Sequence, residues 1–170
     1  MAGRTLYLII CAAPPARAIG EFIGLAQEKD WTVCPIATPH ATAWINSAAV
    51  AIQTGFSVRD RHRQPDDQEP LPRADAIVVA PATFNTVNKW VAGISDTFAL
   101  GILCEAIGLR LPIIVAPYAK SSLAAHPAYA RSLQALDEWG VTVLPNEVIR
   151  VGTARDIFDW QPLVAALGDV

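Results

Sequence analysis

Between Val78 and Asp96 the chain reads VVAPATFNTVNKWVAGISD. An apolar run stops at Pro81, passes Ala82, Thr83, Asn85 and Thr86, and enters a helical pattern with Lys89 one turn in. Two hydroxyls, an amide and an ammonium gathered at the end of a strand suit a ligand with hydrogen-bonding edges, or an anion. Pro81 has no N–H to give a strand neighbour. Asn85 is placed to cap the following helix, whose first N–H groups carry about half a positive charge. The same residues also suit an ordinary capped helix.

The other reactive side chains are scattered. His62 lies among Arg59, Arg61 and Arg63 in RDRHRQPDDQEPLPR, the one charged, proline-rich segment, which reads as a solvated loop. His40 falls in a loop after the second apolar run, and His126 precedes Pro127 at a helix start, a structural position. Lys120 follows LPIIVAPYA. Cys11, Cys34 and Cys104 sit in apolar segments; their odd number and irregular spacing fit buried, reduced thiols and neither a disulfide framework nor a metal site.

The elements that must position these groups alternate. Strand-like runs are TLYLIIC, WTVCPIAT, ADAIVVA, LPIIVAPY and VTVLP, with Pro35 marking an edge position or an irregularity. Helical patterns cover 16–29, ATAWINSAAVAIQ up to the stop at Gly55, 97–107, 126–139 and 154–167. The 97–107 segment is apolar nearly all round and should be buried on several sides. Continuous apolar strands alternating with helices predict one α/β domain over 1–170. Its expected core is a doubly wound, Rossmann-like (flavodoxin-like) parallel sheet with helices on both faces. In such folds the ligand lies beyond the carboxyl ends of the strands, here at 12–16, 38–42, 81–89 and the loop after IIVAPY.

Hydrophobic residues make up 52% of the chain and charged ones 17%, at a mean hydropathy of +0.31. That apolar excess implies subunit contacts. A net charge of −3 without a basic face argues against nucleic acid. No apolar run reaches the roughly 20 residues that span a bilayer. The opening MAGRTLYLIICAAPPARA imitates a signal peptide, but Thr5 to Cys11 reads better as a buried first strand. The expectation is a cytoplasmic protein.

PATFNTVNKWVAGISD resembles the P-A-S/T-x-N-T-x-x-K-x-x-x-G-x-x-D signature of homo-oligomeric flavin-containing cysteine decarboxylases, matching at Pro81, Ala82, Thr83, Asn85, Thr86, Lys89, Gly93 and Asp96. That family includes phosphopantothenoylcysteine decarboxylases and the peptidyl-cysteine decarboxylases of lantibiotic-type peptide biosynthesis. ATPHATAWI and IIVAPYAKSSLAAHP stand where it has further, weaker motifs. The resemblance implies FMN at the end of the sheet between subunits of a homotrimer, or of a dodecamer of trimers. Thr38, Thr83, Asn85 and Thr86 would be its polar contacts and Trp44 would lie near its ring. The family's glycine–serine phosphate loop reads CAAPPARA here. Phosphate would then rely on the backbone amides of Ala12 and Ala13 and the helix end at Ala16, with Pro14 and Pro15 removing two donors.

Two further departures concern catalysis. The family's histidine lies eight residues before the aspartate preceding the central strand; counting back from Asp75, 75 − 8 = 67, and that position is Asp67. His62 is the nearest histidine. Where the family has a carboxylate-holding asparagine this chain has Lys120, a point charge with less orientational control.

The resemblance implies a peptide or small thiol-carboxylate substrate. Its cysteine CH2–SH would be oxidised so that CO2 can leave and an enethiol remains. No cysteine follows Cys104 to reduce that enethiol, which favours the peptidyl-cysteine reaction over the phosphopantothenoylcysteine one. The alternatives are a phosphopantothenoylcysteine decarboxylase-like enzyme, another FMN oxidoreductase or prenyltransferase, and a catalytically silent family member.

Overall fold

The structure is a computed structural model that describes residues 3–62, 64, 71–150 and 157–170. Five parallel strands, β1 (Arg4–Ile10), β2 (Trp31–Ala37), β3 (Ala76–Thr83), β4 (Ile113–Tyr118) and β5 (Thr142–Val143), form one sheet in the order β2-β1-β3-β4-β5. β3 is buried along its length until Thr83, as its unbroken apolar sequence demands. Its residues alternate between the two faces: Ala76, Val78 and Ala80 pack into one apolar core with Leu6, Leu8 and Ile10, while Ile77 and Val79 join a second core with Ile9.

The first core is completed by α1 (Ile19–Gln27), through Phe22 and Ile23, together with the single-turn edge of α2 (Ser47–Thr54) at Val50. The second is covered by α3 (Phe84–Val91) and α4 (Phe98–Leu109), then beyond the four-residue α5 (Ser121–Ala124) by α6 (Pro127–Glu138). A short α7 (Asn146–Ile149) follows β5, and α8 (Gln161–Gly168) returns to the first core through Leu163 and Leu167. Helices on both faces of a parallel sheet make the doubly wound architecture anticipated from the strand–helix alternation. At the amino ends, the Asp75 carboxylate accepts the Thr5 N–H at 2.7 Å and ties β1 to β3.

Several boundaries differ from the sequence reading. ATAWINSAAVAIQ is not one helix: Pro39 starts a 3-10 turn over Pro39–Ala43, and the Asn46 side chain accepts the Ala49 N–H to begin α2 afresh. Pro14 and Pro15 likewise make a 3-10 turn, Pro14–Ala18, ahead of α1. The last helix begins at Gln161, since 157–160 are not helical and 154–156 lie outside the described residues. Pro35 does lie in an edge strand, β2, whose outer side accepts the Arg59 N–H at Pro35 O. α4 is less enclosed than its composition implies: Ala99, Leu100, Leu103 and Ala106 are buried, but Leu109 is 65% exposed.

Candidate functional site

Strand order reverses between β1 and β3, and their carboxyl ends diverge there into different helices. At that point Cys11 N–H still reaches Pro81 O at 3.2 Å, and Thr38 N–H reaches Ile10 O at 2.9 Å, so three chain turns are held side by side. The peptide before Pro81 is cis. Beyond these strand ends opens a cavity of about 1040 Å³. That is at the upper end of the range for small-molecule sites.

Most of the residues singled out by sequence line it. Ala12, Ala13, Thr38, Trp44, Thr83, Asn85, Thr86, Lys89 and Lys120 all do, and His40 joins them. Pro81 and Ala82 are buried in β3 and shape the wall from behind. His126 does not line it: its Nδ1 accepts the Ala128 N–H and caps α6, as its place before Pro127 implied.

Asn85 is not a cap. α3 begins one residue earlier, at Phe84, with Thr83 as the flanking residue and no side-chain cap. Asn85 therefore sits in the first turn, exposed on the cavity side. Lys89 is not an unpaired charge, because its ammonium is bound to the Asp96 carboxylate. The Ala16 N–H is also taken: it donates to Ala13 O at 2.9 Å, so the first turn retains only the amides of Ala12 and Ala13 as candidate anion donors.

Beneath Asn85 the wall is closely bonded. The Cys11 thiol donates to Thr86 Oγ1 at 3.4 Å, and the Thr83 hydroxyl donates to the same oxygen at 3.3 Å. Burial pushes the Cys11 thiol above its ordinary range despite these hydroxyl contacts, so it stays protonated and inert.

His62 and Asp67 are not brought into the cavity of a single chain. His62 is exposed and stands edge-on to Phe98 of α4, with ring centroids 5.6 Å apart. Asp67 lies outside the described residues.

The sequence reading reached the opposite wall only at Lys120 and the loop after IIVAPY, and missed Asn146 and Arg150. Tyr118, Ser121, Ser122, Asn146 and Arg150 line the cavity from the ends of β4 and β5. Arg150 Nη2 donates to Ala119 O at 3.2 Å, and its guanidinium lies 4.3 Å from the Tyr118 ring centroid. Arg150 Nε and Asn146 Oδ1 are buried without a partner. The carboxyl-end rule would have reached both residues had it been extended past VTVLP. No Asp or Glu stands among the described lining residues, which gives this lining a preference for anions. Apolar and aromatic walls at Trp44, Phe84 and Leu100, with amide and hydroxyl groups between them, suit a flat heteroaromatic ligand carrying acidic groups.

Comparison with known proteins adds three findings. The profile of the family described as Flavoprotein matches residues 24–167. The coenzyme A biosynthesis bifunctional protein CoaBC of Thermococcus kodakarensis is 29% identical over 141 residues, covering 78% of this chain and 35% of that protein. The chain spans 20–35% of the lengths of the curated relatives it matches. Among solved structures, the FMN-dependent cysteine decarboxylase TvaF from thioviridamide biosynthesis superposes with a TM-score of 0.71 at 25% identity, covering 83% of this chain and 89% of that one. The epidermin biosynthesis protein EpiD of Staphylococcus aureus shares the fold, at a TM-score of 0.72 and 21% identity over 88% and 85% of the two chains.

Proposed function

The chain belongs to the Flavoprotein family, and from that premise we propose that it binds FMN and catalyses the oxidative decarboxylation of a peptide's C-terminal cysteine to an enethiol. The observation that carries this reading is the cavity at the β1/β3 reversal, wide, aromatic-walled, amide-rich and with no carboxylate among its described lining residues. Those features fit the group: Trp44, Thr38, Thr83 and Asn85 would border its ring system, and the amides of Ala12 and Ala13 would meet its phosphate. When bound, FMN supplies two-electron oxidation of the substrate's carbon–sulfur unit.

The chain's own residues have three tasks. The Thr83–Thr86–Cys11 hydrogen bonds fix the wall on which the thiol must be oriented. The apolar walls exclude water from the developing charge. A cationic group must hold the carboxylate until CO2 departs, and Lys120 at the rim is one candidate. His62 would act only if a neighbouring protomer brought it to a cavity. Its neighbour Phe98 and the exposed Leu109 on α4 give that helix an apolar face suited to a homotrimer or a larger assembly of trimers. No helix among the described residues is long and apolar enough to cross a membrane. The proposed setting is the cytoplasm, within peptide natural product biosynthesis.

The test is mass spectrometry of Cys-terminated peptides incubated with the FMN-loaded protein. Loss of CO2 and two hydrogens, about 46 mass units, is expected. Unchanged peptides across varied sequences would retire the reading.

A further inference from the structure

The β4/β5 side of the cavity holds a cation, Arg150, with no carboxylate among the described lining residues. We propose that Arg150, with Asn146 beside it, is the subsite that receives the substrate's terminal carboxylate; this rests on the peptide-cysteine reading above.

Arg150 is fixed from several directions. Its Nη2 is bonded to Ala119 O, its plane lies over Tyr118, and its backbone bridges to Phe158 while Asp159 N–H donates to Ile149 O at 2.7 Å. Phe158 packs in turn on Trp160 at 5.3 Å, and Trp160 on Phe22 at 5.8 Å, which roots the arm in the core. A guanidinium held this firmly has already lost the rotamer freedom that binding would otherwise remove.

Its donors are nonetheless not all used. Nε is buried and unpaired, as is Asn146 Oδ1, and both residues line the cavity. The Asn146 carboxamide can turn to present Nδ2 to the same guest. Lys89 is neutralised by Asp96, and Lys120 is exposed at the rim. Arg150 is the oriented positive charge, and a carboxylate matches its fork.

An oxyanion here has two sources, the substrate carboxylate and the cofactor phosphate. Sheet order favours the first. The Ala12–Ala13 amides lie at the end of β1, two to three strand spacings from β4 and β5, roughly 10–14 Å. The two anions can thus be held at opposite ends of one cavity.

The experiment uses the FMN-loaded full chain and titration calorimetry with a non-reacting probe. The probe is a pentapeptide ending in serine, as the free acid and as the C-terminal amide. Wild type should prefer the acid by about tenfold or more, the scale of a charge-assisted hydrogen bond. Arg150→Gln should erase the preference while keeping its flavin content, Lys120→Gln should retain most of it, and Arg150→Lys should fall between. If Arg150→Gln fails to fold, Arg150→Lys against Lys120→Gln decides. A preference that survives at Arg150 but vanishes in Lys120→Gln overturns the assignment, as does loss of FMN with the preference intact, which would place the phosphate there. A wild type indifferent to acid and amide also overturns it. A preserved preference without any mass change in peptides ending in cysteine would instead defeat the decarboxylation reading and leave the subsite standing.

Discussion

The two walls of the cavity are built on opposite principles. On the β3–α3 side most polar groups are answered from within: Thr83 and Cys11 both give their protons to Thr86, Lys89 meets Asp96, and the Trp90 indole donates to Leu103 O at 3.1 Å, although Asn88 Nδ2, turned toward α6, is buried without a partner. On the β4/β5 side Arg150 and Asn146 keep buried polar atoms unanswered. A buried polar atom without a partner costs about 1–3 kcal/mol, a penalty native structures tolerate where a guest will answer it. One wall therefore holds shape and the other holds unmet hydrogen-bonding capacity. The closed wall should govern stability and the open wall recognition.

The sharpest way to break this contrast is to remove the pillar of the closed wall. Trp90 is 2% exposed between α3 and α4. Trp90→Ala should lower unfolding free energy by about 3–5 kcal/mol in urea titrations. A loss under about 1 kcal/mol would mean that the wall does not rest on it.

Alkali probes the sheet interior more gently. Burial pushes the Cys34 thiol in β2 up to about 11 and raises Cys11 as well, from an ordinary value of 9.0. The folded state keeps these protons where the unfolded chain releases them. Stability is therefore fully present below about 9 and falls as pH climbs toward about 11, by about 2–3 kcal/mol for Cys34. Cys34→Ala should flatten that decline in pH-dependent denaturation curves. A slope unchanged by the substitution would show that the sheet interior around Cys34 is not dry.

The closed wall was also the legible one. Pro81 to Lys89 is contiguous, so strand end, turn and helix start appear together in the chain, and their chemistry can be read without knowing any long-range contact. Asn85 was misassigned as a cap because propensity cannot distinguish Thr83 from Asn85 when both sit near the first turn. The break at Asn46 was hidden for a related reason: Ala-rich ATAWINSAAVAIQ favours helix throughout, and only Pro39 and the Asn46 cap interrupt it. The open wall was legible only at Lys120 and the loop after IIVAPY. β5 has two residues and α7 four, too short for any periodicity, and Arg150 matters only because β5 lies beside β4 and delivers it to Ala119.

The finest test sets one deletion from each wall side by side. Thr86→Val keeps the shape but strips the oxygen that accepts from both Cys11 and Thr83, so about 1–2 kcal/mol of stability should go. Asn146→Ala removes a buried oxygen that bonds to nothing, so it should not destabilise the fold, and stability should equal or exceed that of wild type. The same Asn146 variant should weaken binding of an acid-terminated peptide, since its amide is free to answer a carboxylate only when one is present. If Asn146→Ala unfolded as readily as Thr86→Val, its side chain would be part of the scaffold. The two walls would then be equally closed, and the division of labour between them would be lost.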